Sequence, residues 1–120
     1  KNKGLTWDAS GCKTECSWFG FKISIKENAN FSRTDLAKLL DENKIGNRML
    51  FGGNLIRQPA FIELKKQNSN AYRIASNTSG SDKIMNQTLF LGTYPGLTKE
   101  MLDFEITTIN KFVEKMKSNL

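Results

Sequence analysis

The chain has 120 residues and carries 18 Lys and Arg against 12 Asp and Glu, a formal net charge of +6, with two Cys and no His. A chain of this length forms one domain around one hydrophobic core. Without His it has no Ser-His or Cys-His catalytic pair, no His-based zinc site and no imidazole to act as general base near neutral pH. Whatever chemistry the chain takes part in, it does so without imidazole.

The basic residues are spread along the chain and interleaved with acidic ones, and the densest basic cluster is Lys65-Lys66. Nucleic-acid-binding proteins more often concentrate Lys and Arg on one stripe, so we expect no nucleic-acid partner. The apolar runs are too short to cross a membrane, and no apolar stretch of a secretory signal follows the basic N-terminal residues. We therefore expect a cytoplasmic protein without a membrane span. The sequence does not begin with Met, which suggests a piece of a longer polypeptide.

The two cysteines, Cys12 and Cys16, form a C-x-x-x-C pair. Without His or further Cys they supply at most half of a four-coordinate metal site. We therefore expect two free thiols and no metal site in this chain.

The first part of the chain predicts an arm, a strand and a helix. Residues 1–17 are polar and turn-rich, and we interpret them as a linker or incoming arm. Apolar and polar residues alternate from 18 to 25, the pattern of a half-buried strand. Ser32 and Asp35 have the spacing of a capping box ahead of leucines at helical spacing, which predicts a helix over about 33–43, ended by a glycine at position 46.

Glycine and proline mark the next elements. A short extended stretch at 45–51 ends at Gly52-Gly53-Asn54, where Gly can adopt positive φ and Asn can cap a helix. Pro59 suits the first turn of a short helix that runs to about Lys66. Residues 72–75 predict a short strand.

The last third predicts a helix, a strand, a turn and a long helix. Ser81 is the expected cap of a helical turn through residue 86, and residues 88–93 form a strand. Tyr94-Pro95-Gly96-Leu97 predicts a type II turn, because Pro restricts φ and Gly supplies a positive φ. Thr98 then caps an amphipathic helix of about five turns. Its predicted apolar face consists of Leu102, Ile106, Ile109, Val113 and Met116.

Together these elements predict an α+β fold. We expect a small mixed or antiparallel sheet of three or four strands, with helices mainly on one face and a long C-terminal helix. No internal repeat is visible in the sequence.

The segment 48–59 is the richest in residue types suited to ligand binding. Its glycines let the backbone approach a ligand, Asn54 can donate and accept hydrogen bonds, and Arg48 and Arg57 suit a phosphate. It contains neither a Walker-type Lys-Ser/Thr nor a G-x-G-x-x-G pattern. The alternative is that the glycines only turn the chain and that Phe51 is a core side chain.

A second segment, 85–97, places a strand end and a turn in succession. We expect it to bring Asn86, Thr88 and Tyr94 near one another. The alternative here is a plain turn that leads into a capped helix.

Three sequence blocks resemble a known family. They are Ser-Trp-Phe-Gly-Phe (17–21), Arg-Met-Leu-Phe-Gly-Gly-Asn-Leu-Ile-Arg-Gln-Pro (48–59) and Met-Asn-Gln-Thr-Leu-Phe-Leu-Gly-Thr-Tyr-Pro-Gly-Leu-Thr (85–98). In this order they resemble the C-terminal domain of the DegT/DnrJ/StrS sugar aminotransferase family, within it the CDP-4-keto-6-deoxyglucose 3-dehydrase branch of lipopolysaccharide biosynthesis. Ordinary aminotransferases of that family carry His where Phe51 stands here. Lys22 departs from the pattern, which leads one to expect Pro after the first block.

The resemblance implies that residues 18–120 are the C-terminal small domain of a fold-type I pyridoxal-phosphate enzyme, here a pyridoxamine-phosphate-dependent nucleotide-sugar 3-dehydrase. An N-terminal domain outside this chain would bind the cofactor and carry the cysteines of an iron–sulfur cluster, so that this segment alone binds no cofactor. A flavin/iron–sulfur reductase would be the partner of the parent enzyme. The resemblance leaves open whether that parent is a homodimer.

The resemblance also assigns roles within the chain. It implies no catalytic residue here, Phe51 as an apolar wall of the cofactor and substrate pocket, and Asn54, Arg57 and Tyr94 as candidates for substrate binding. Two alternatives remain: the domain of a nucleotide-sugar aminotransferase, or a stand-alone binding or structural module.

Overall fold

The structure of the protein is a computed structural model that describes residues 17–118. Cys12, Cys16 and all but the last residue of the predicted arm lie outside the described residues. In chain order the elements are β1 (Gly20–Ser24), α1 (Arg33–Glu42), β2 (Asn47–Met49), a 3-10 turn (Leu55–Arg57), α2 (Pro59–Gln67), α3 (Ser79–Gln87), β3 (Thr88–Gly92) and α4 (Lys99–Ser118).

The described strands form one antiparallel sheet in the order β1-β3-β2, with β3 in the centre. β1 pairs along its whole length with β3, from Gly20 opposite Gly92 to Ser24 opposite Thr88. β2 pairs with the other edge of β3. The predicted α+β fold is confirmed, with three antiparallel strands and a long C-terminal helix.

One face of the sheet packs against α1 and α4 and forms the hydrophobic core. Leu89 and Leu91 on β3 and Leu36 and Leu40 on α1 are buried. Neighbouring side chains on a strand point to opposite faces, so Phe90 points away from this core. Burial of each leucine contributes about 1.5–3 kcal/mol of transfer free energy. The buried core consists of Ile25, Leu36, Ala37, Leu40, Ile45, Leu89, Leu91 and Phe112.

The predicted capping box is present at the start of α1. The Ser32 Oγ accepts a hydrogen bond from the Asp35 N–H (3.2 Å), and the Asp35 carboxylate accepts one from the Ser32 N–H (2.7 Å). The bond from the Ser32 backbone is the main reason that the pKa of Asp35 is lowered. The helix ends at Glu42 and not at Gly46, since Lys44, with a φ of 59°, takes the left-handed position that glycine often occupies after a helix.

Two predictions in the middle of the chain are wrong. Residues 72–75 form no strand: the Tyr72 carbonyl accepts a hydrogen bond from Lys65 Nζ (3.1 Å), and its ring meets that of Phe61 edge-on at 6.0 Å. These contacts place the segment against α2 instead of the sheet. The next helix, α3, begins at Ser79, two residues before the predicted cap at Ser81.

The turn before α4 forms, but it is not of the predicted type II. The Leu97 N–H donates to the Tyr94 carbonyl (3.1 Å), the bond that closes a four-residue turn. Gly96 does not adopt the positive φ that a type II turn requires at its third position. Thr98 caps α4 as predicted, with its Oγ1 accepting from the Met101 N–H (3.3 Å).

The apolar face predicted for α4 is right only in the second half of the helix. Ile109, Val113 and Met116 pack against the core, together with Phe112, which the prediction had left out. The Phe112 ring meets that of Phe31 edge-on at 5.0 Å. Only the C-terminal half of α4 lies over the core, so the apolar side chains of its N-terminal half stay exposed. These exposed side chains are Met101, Leu102, Phe104 and Ile106.

The capping box gives a test of the fold. We expect Ser32→Ala to lower the free energy of unfolding by about 0.5–2 kcal/mol, because the first turn of α1 loses its side-chain acceptor. Urea denaturation measures the change. Ser76→Ala, at an exposed loop position, is the matched control and is expected to leave stability unchanged. Equal stability of the Ser32→Ala variant and the wild type would contradict this account.

Candidate functional site

The loop after β2 holds the first candidate, Phe51, in an unusual backbone conformation. Phe51 has a φ of 49°, a region that is costly for large side chains. Its N–H donates to the Met49 carbonyl (2.8 Å), and the Gly53 N–H donates to the Leu50 carbonyl (3.3 Å). Strain of this kind costs about 1–3 kcal/mol and is found most often at functional sites, where the surrounding structure enforces it.

Gly53 fixes this loop against α3. It has a φ of 61°, and a Cβ at this position would lie 2.6 Å from the Cγ of Met85. Only glycine allows both the positive φ and the close approach. The prediction that this glycine pair turns the chain sharply is thus confirmed at Gly53.

Phe51 belongs to a group of three rings on the side of the sheet away from the core. Its ring stacks on that of Phe19 (centroids 6.3 Å apart, 21° between planes) and packs on that of Phe90 (6.1 Å). Phe19 and Phe90 are 5.7 Å apart, and we call the three side chains the aromatic cluster. Phe19 and Phe51 are 73% and 77% exposed, so the alternative that Phe51 is a core side chain is wrong.

The ring of Phe90 lies directly over Gly20, where a Cβ would collide with the ring edge. Gly20 therefore provides the space that the innermost ring of the aromatic cluster occupies. A glycine covered in this way by an aromatic ring on the neighbouring strand is a recognised feature of stable sheets.

Asn54 and Arg57 are both bonded to Asp82 in the first turn of α3. Asn54 Nδ2 donates to Asp82 Oδ1 (2.8 Å), Arg57 Nη2 donates to Asp82 Oδ2 (2.8 Å), and Arg57 Nε also donates to Oδ1. We call these three residues the Asp82 network. Asn54 is only 3% exposed, and its side chain bonds Asp82 instead of capping the 3-10 turn that follows it. The network fastens the loop that carries Phe51 to α3.

The electrostatics of the network follow from this pairing. The hydrogen bonds from Arg57 and Asn54 lower the pKa of Asp82 from 3.8 to about 2, and the bond to Asp82 raises the pKa of Arg57. The Arg57 side chain is still 57% exposed, and its Nη1 makes no hydrogen bond within the described residues. One edge of the guanidinium group therefore remains open to an anion.

Sequence reasoning found Asn54 and Arg57 but missed Asp82. Arg57 and Asp82 are 25 positions apart, and no local pattern connects them. An acidic residue in the first turn of a helix is also common for another reason, since it interacts favourably with the helix dipole. The position of Asp82 in the first turn of a predicted helix was thus visible in the sequence, but it did not indicate a pairing with Arg57.

Tyr94, the fourth candidate, lies elsewhere. It is exposed in the turn after β3, with its ring beside Gly96. Within the described residues no ring contact or hydrogen bond joins it to the aromatic cluster or to the Asp82 network. The expected grouping of Asn86, Thr88 and Tyr94 is wrong, because β3 runs between them and Thr88 is buried, with its hydroxyl 2.8 Å from that of Ser24.

Residues 17–118 contain no candidate metal site. No group of three or more His, Cys, Asp or Glu could hold a metal ion in this part of the chain. No helix there is both long and apolar enough to span a bilayer. A groove of about 570 Å³ lies between α1 and α4, on the core side of the sheet, and charges of both signs line it.

The sequence matches the model of the DegT/DnrJ/EryC1/StrS aminotransferase family over residues 4–110. This match confirms the family that the three sequence blocks predicted. It includes the strand, loop and helix segments that build the aromatic cluster and the Asp82 network.

Three relatives are similar over most of this chain. Lipopolysaccharide biosynthesis protein RfbH of Salmonella typhimurium is 48% identical over 100 residues, which cover 83% of this chain and 22% of that protein. A dTDP-4-dehydro-2,6-dideoxy-D-glucose 3-dehydratase of Saccharopolyspora spinosa is 39% identical over 112 residues, 93% of this chain and 23% of the enzyme. A GDP-4-keto-6-deoxy-D-mannose 3-dehydratase of Yersinia pseudotuberculosis is 30% identical over 80 residues, which cover 67% of this chain and 19% of that enzyme. The chain thus spans about a fifth of the length of these relatives.

The Asp82 network predicts a pH dependence of stability. Because the folded state lowers the pKa of Asp82 below its value in the unfolded chain, the stabilisation is complete above the unfolded pKa and is lost as the pH falls through the folded value. We expect Asp82→Asn to lower the urea midpoint at neutral pH, and the difference from the wild type to shrink between about pH 5 and about pH 2.

Asp103→Asn is the matched control for this experiment. Asp103 pairs with Lys99 on the surface of α4, and exposed pairs of this kind contribute little to stability. A difference between wild type and Asp82→Asn that stays constant down to the lowest pH would contradict the assignment.

Proposed function

The chain belongs to the DegT/DnrJ/EryC1/StrS aminotransferase family, and we propose that it is the C-terminal small domain of a nucleotide-sugar 3-dehydrase of lipopolysaccharide O-antigen dideoxyhexose biosynthesis. In this proposal the domain helps to close the active site and is not catalytic alone. The parent enzyme acts in the cytoplasm on a keto-deoxysugar linked to a nucleoside diphosphate.

The observation that carries the proposal is the agreement among the relatives. Two are 3-dehydratases of keto-deoxysugars linked to dTDP or GDP, and the relative with 48% identity is a lipopolysaccharide biosynthesis protein. Phe51 supports the dehydrase over the aminotransferase alternative, because the resemblance implies that ordinary aminotransferases of the family carry His at this place.

The described residues fit one wall of a site for pyridoxal or pyridoxamine phosphate. The exposed Phe51 ring, held at positive φ, presents a flat apolar face suited to a planar pyridine ring. Asn54 is buried and bonded to Asp82. As the resemblance implies, we assign the groups that hold the cofactor phosphate to the N-terminal domain of the parent. When bound, pyridoxamine phosphate supplies the electron sink for loss of the C3 hydroxyl of the sugar.

The part of this chain in the reaction is to position groups and exclude water. The Asp82 network and Gly53 hold the loop rigidly on α3, so that Phe51 keeps its place when the domain closes. An apolar wall at this point removes water from the reacting centre and lets the polar groups around it act in a low dielectric. Arg57, through its open guanidinium edge, and Tyr94 are the candidates for contacts to the sugar nucleotide.

The proposal places the redox groups outside this chain. A chain with two cysteines and no His cannot by itself ligate an iron–sulfur cluster, which takes four such ligands. The cluster and a flavin/iron–sulfur reductase are therefore assigned to the parent enzyme and its partners.

The test uses the polypeptide at its natural length with pyridoxamine phosphate, CDP-4-keto-6-deoxyglucose, and the flavin/iron–sulfur reductase with its electron donor, because replacing the C3 hydroxyl by hydrogen consumes two electrons. We expect loss of the C3 hydroxyl, detected by mass spectrometry of the sugar nucleotide. Formation of a 4-amino sugar instead would favour the aminotransferase alternative. Absence of any turnover, with the reductase present, would favour a binding or structural module.

Phe51→His in the same polypeptide tests the role of the wall. We expect this variant to gain amino transfer from an amino-acid donor, since it restores the residue of ordinary aminotransferases. Phe104→His, on the exposed part of α4, is the matched control and is expected to show no such gain. If the two variants behave alike, Phe51 does not have the proposed role.

A further inference from the structure

Two cations flank the innermost ring of the aromatic cluster. Lys22 on β1 and Arg48 on β2 are both directly opposite Phe90 on β3. Directly opposite residues of antiparallel strands project to the same face, with Cβ atoms about 4.5–5.5 Å apart. The three side chains therefore form a row of cation, ring and cation across the sheet, on the face away from the core.

Among the described residues, no acidic side chain neutralises either cation. Both side chains are exposed, and neither forms an ion pair within residues 17–118. Arg48 Nη1 donates to the neighbouring Asn47 carbonyl (2.9 Å). Two strand spacings separate the cations by about 10 Å, so an anion midway between them is about 5 Å from each. This distance is shorter than the Debye length of about 8 Å at physiological salt, so both cations attract the anion.

The rings beside this row are exposed at a cost to folding. Phe51 combines a positive φ with a largely exposed side chain, and Phe19 stacked on it is almost as exposed. Neither property favours the folded state of the domain. An exposed aromatic surface next to uncompensated cations instead suits a ligand that has both a planar ring and a negative charge.

We propose that this surface, formed by Lys22, Arg48 and the aromatic cluster, binds the nucleoside-diphosphate part of the substrate. The base stacks on Phe19, whose ring is supported by the ring of Phe51 stacked on it, and Lys22 and Arg48 bind the diphosphate oxygens. The identity of the ligand rests on the proposed function.

The chemistry of the surface also sets its selectivity. Aromatic side chains accept any base, because every base has a π face. We therefore expect CDP, dTDP and GDP to compete for the same surface. A nucleoside lacks the phosphates, and pyrophosphate lacks the base. Each therefore contacts only half of the surface and binds more weakly than a nucleoside diphosphate.

Calorimetric titration of the natural-length polypeptide with CDP tests the proposal. For the double variant Lys22→Gln/Arg48→Gln we expect a dissociation constant for CDP raised about tenfold, with a greater loss at low than at high ionic strength. Arg73→Gln/Lys117→Gln, which removes the same charge from exposed positions elsewhere, is the matched control and is expected to bind CDP as the wild type does.

Phe51→Gly separates a binding role from a structural one. Glycine relieves the strain of the positive φ, so we expect no loss of stability in urea denaturation, together with weaker binding of CDP. The proposal is overturned if either the double cation variant or Phe51→Gly binds CDP like the wild type. It is also overturned if the control variant loses as much affinity, or if pyrophosphate alone binds as tightly as CDP.

The CDP-binding experiment is independent of the test of the proposed function. Binding of CDP is measured without cofactor or turnover, so a polypeptide that binds CDP through this surface but does not dehydrate the sugar contradicts only the assigned reaction. One that dehydrates the sugar while the cation variants keep wild-type affinity contradicts only the assigned surface.

Discussion

The central strand β3 buries leucines under helices on one face and carries an aromatic ring on the other, and the arrangement of the domain follows from this difference. Leu89 and Leu91 are buried beneath α1 and α4, while Phe90 between them points to the opposite face. β1 and β2 pair with its two edges and satisfy its backbone groups. With the helices committed to the leucine side, the phenylalanine side is left for aromatic and charged residues.

The position of Phe51 depends on a series of contacts that begins in this core. Arg33 at the start of α1 donates a hydrogen bond to the Met85 carbonyl in the last turn of α3, where a cation also meets the negative end of the helix dipole. Met85 in turn packs against Gly53, and the Asp82 network adds a second attachment. The loop is thus oriented by α3, and α3 by α1, without any covalent or metal constraint in the described part of the chain.

Local patterns predicted most of the fold, and contacts distant in sequence account for what they missed. Alternation at 18–25, the capping box at Ser32 and the cap at Thr98 depend on neighbours a few positions away. The two caps are confirmed, and the alternation correctly predicted a strand, which is observed over Gly20–Ser24. The burial of Phe112 depends on where α4 crosses the core, and the role of Asp82 on a partner 25 positions away. Neither apolar periodicity nor residue type shows where α4 crosses the core or which distant residue is the partner of Asp82.

The candidate site shows the same division. Phe51, Asn54 and Arg57 were recognisable because they share one block, and the structure gives two of them a common partner. The positive φ of Phe51 could not be foreseen, since sequence statistics assign that conformation to glycine. Nor could the row across the sheet, because strand order and register are properties of the assembled sheet.

The ring of Phe90 resting on Gly20 has an evolutionary consequence. The two positions occupy one volume, so a side chain larger than hydrogen at 20 is compatible only with a smaller residue at 90. Homologous sequences should therefore change these positions together, and a lineage that replaces the phenylalanine is released from the need for glycine. Paired replacement of Gly20 and Phe90 would identify homologues that have lost the aromatic cluster.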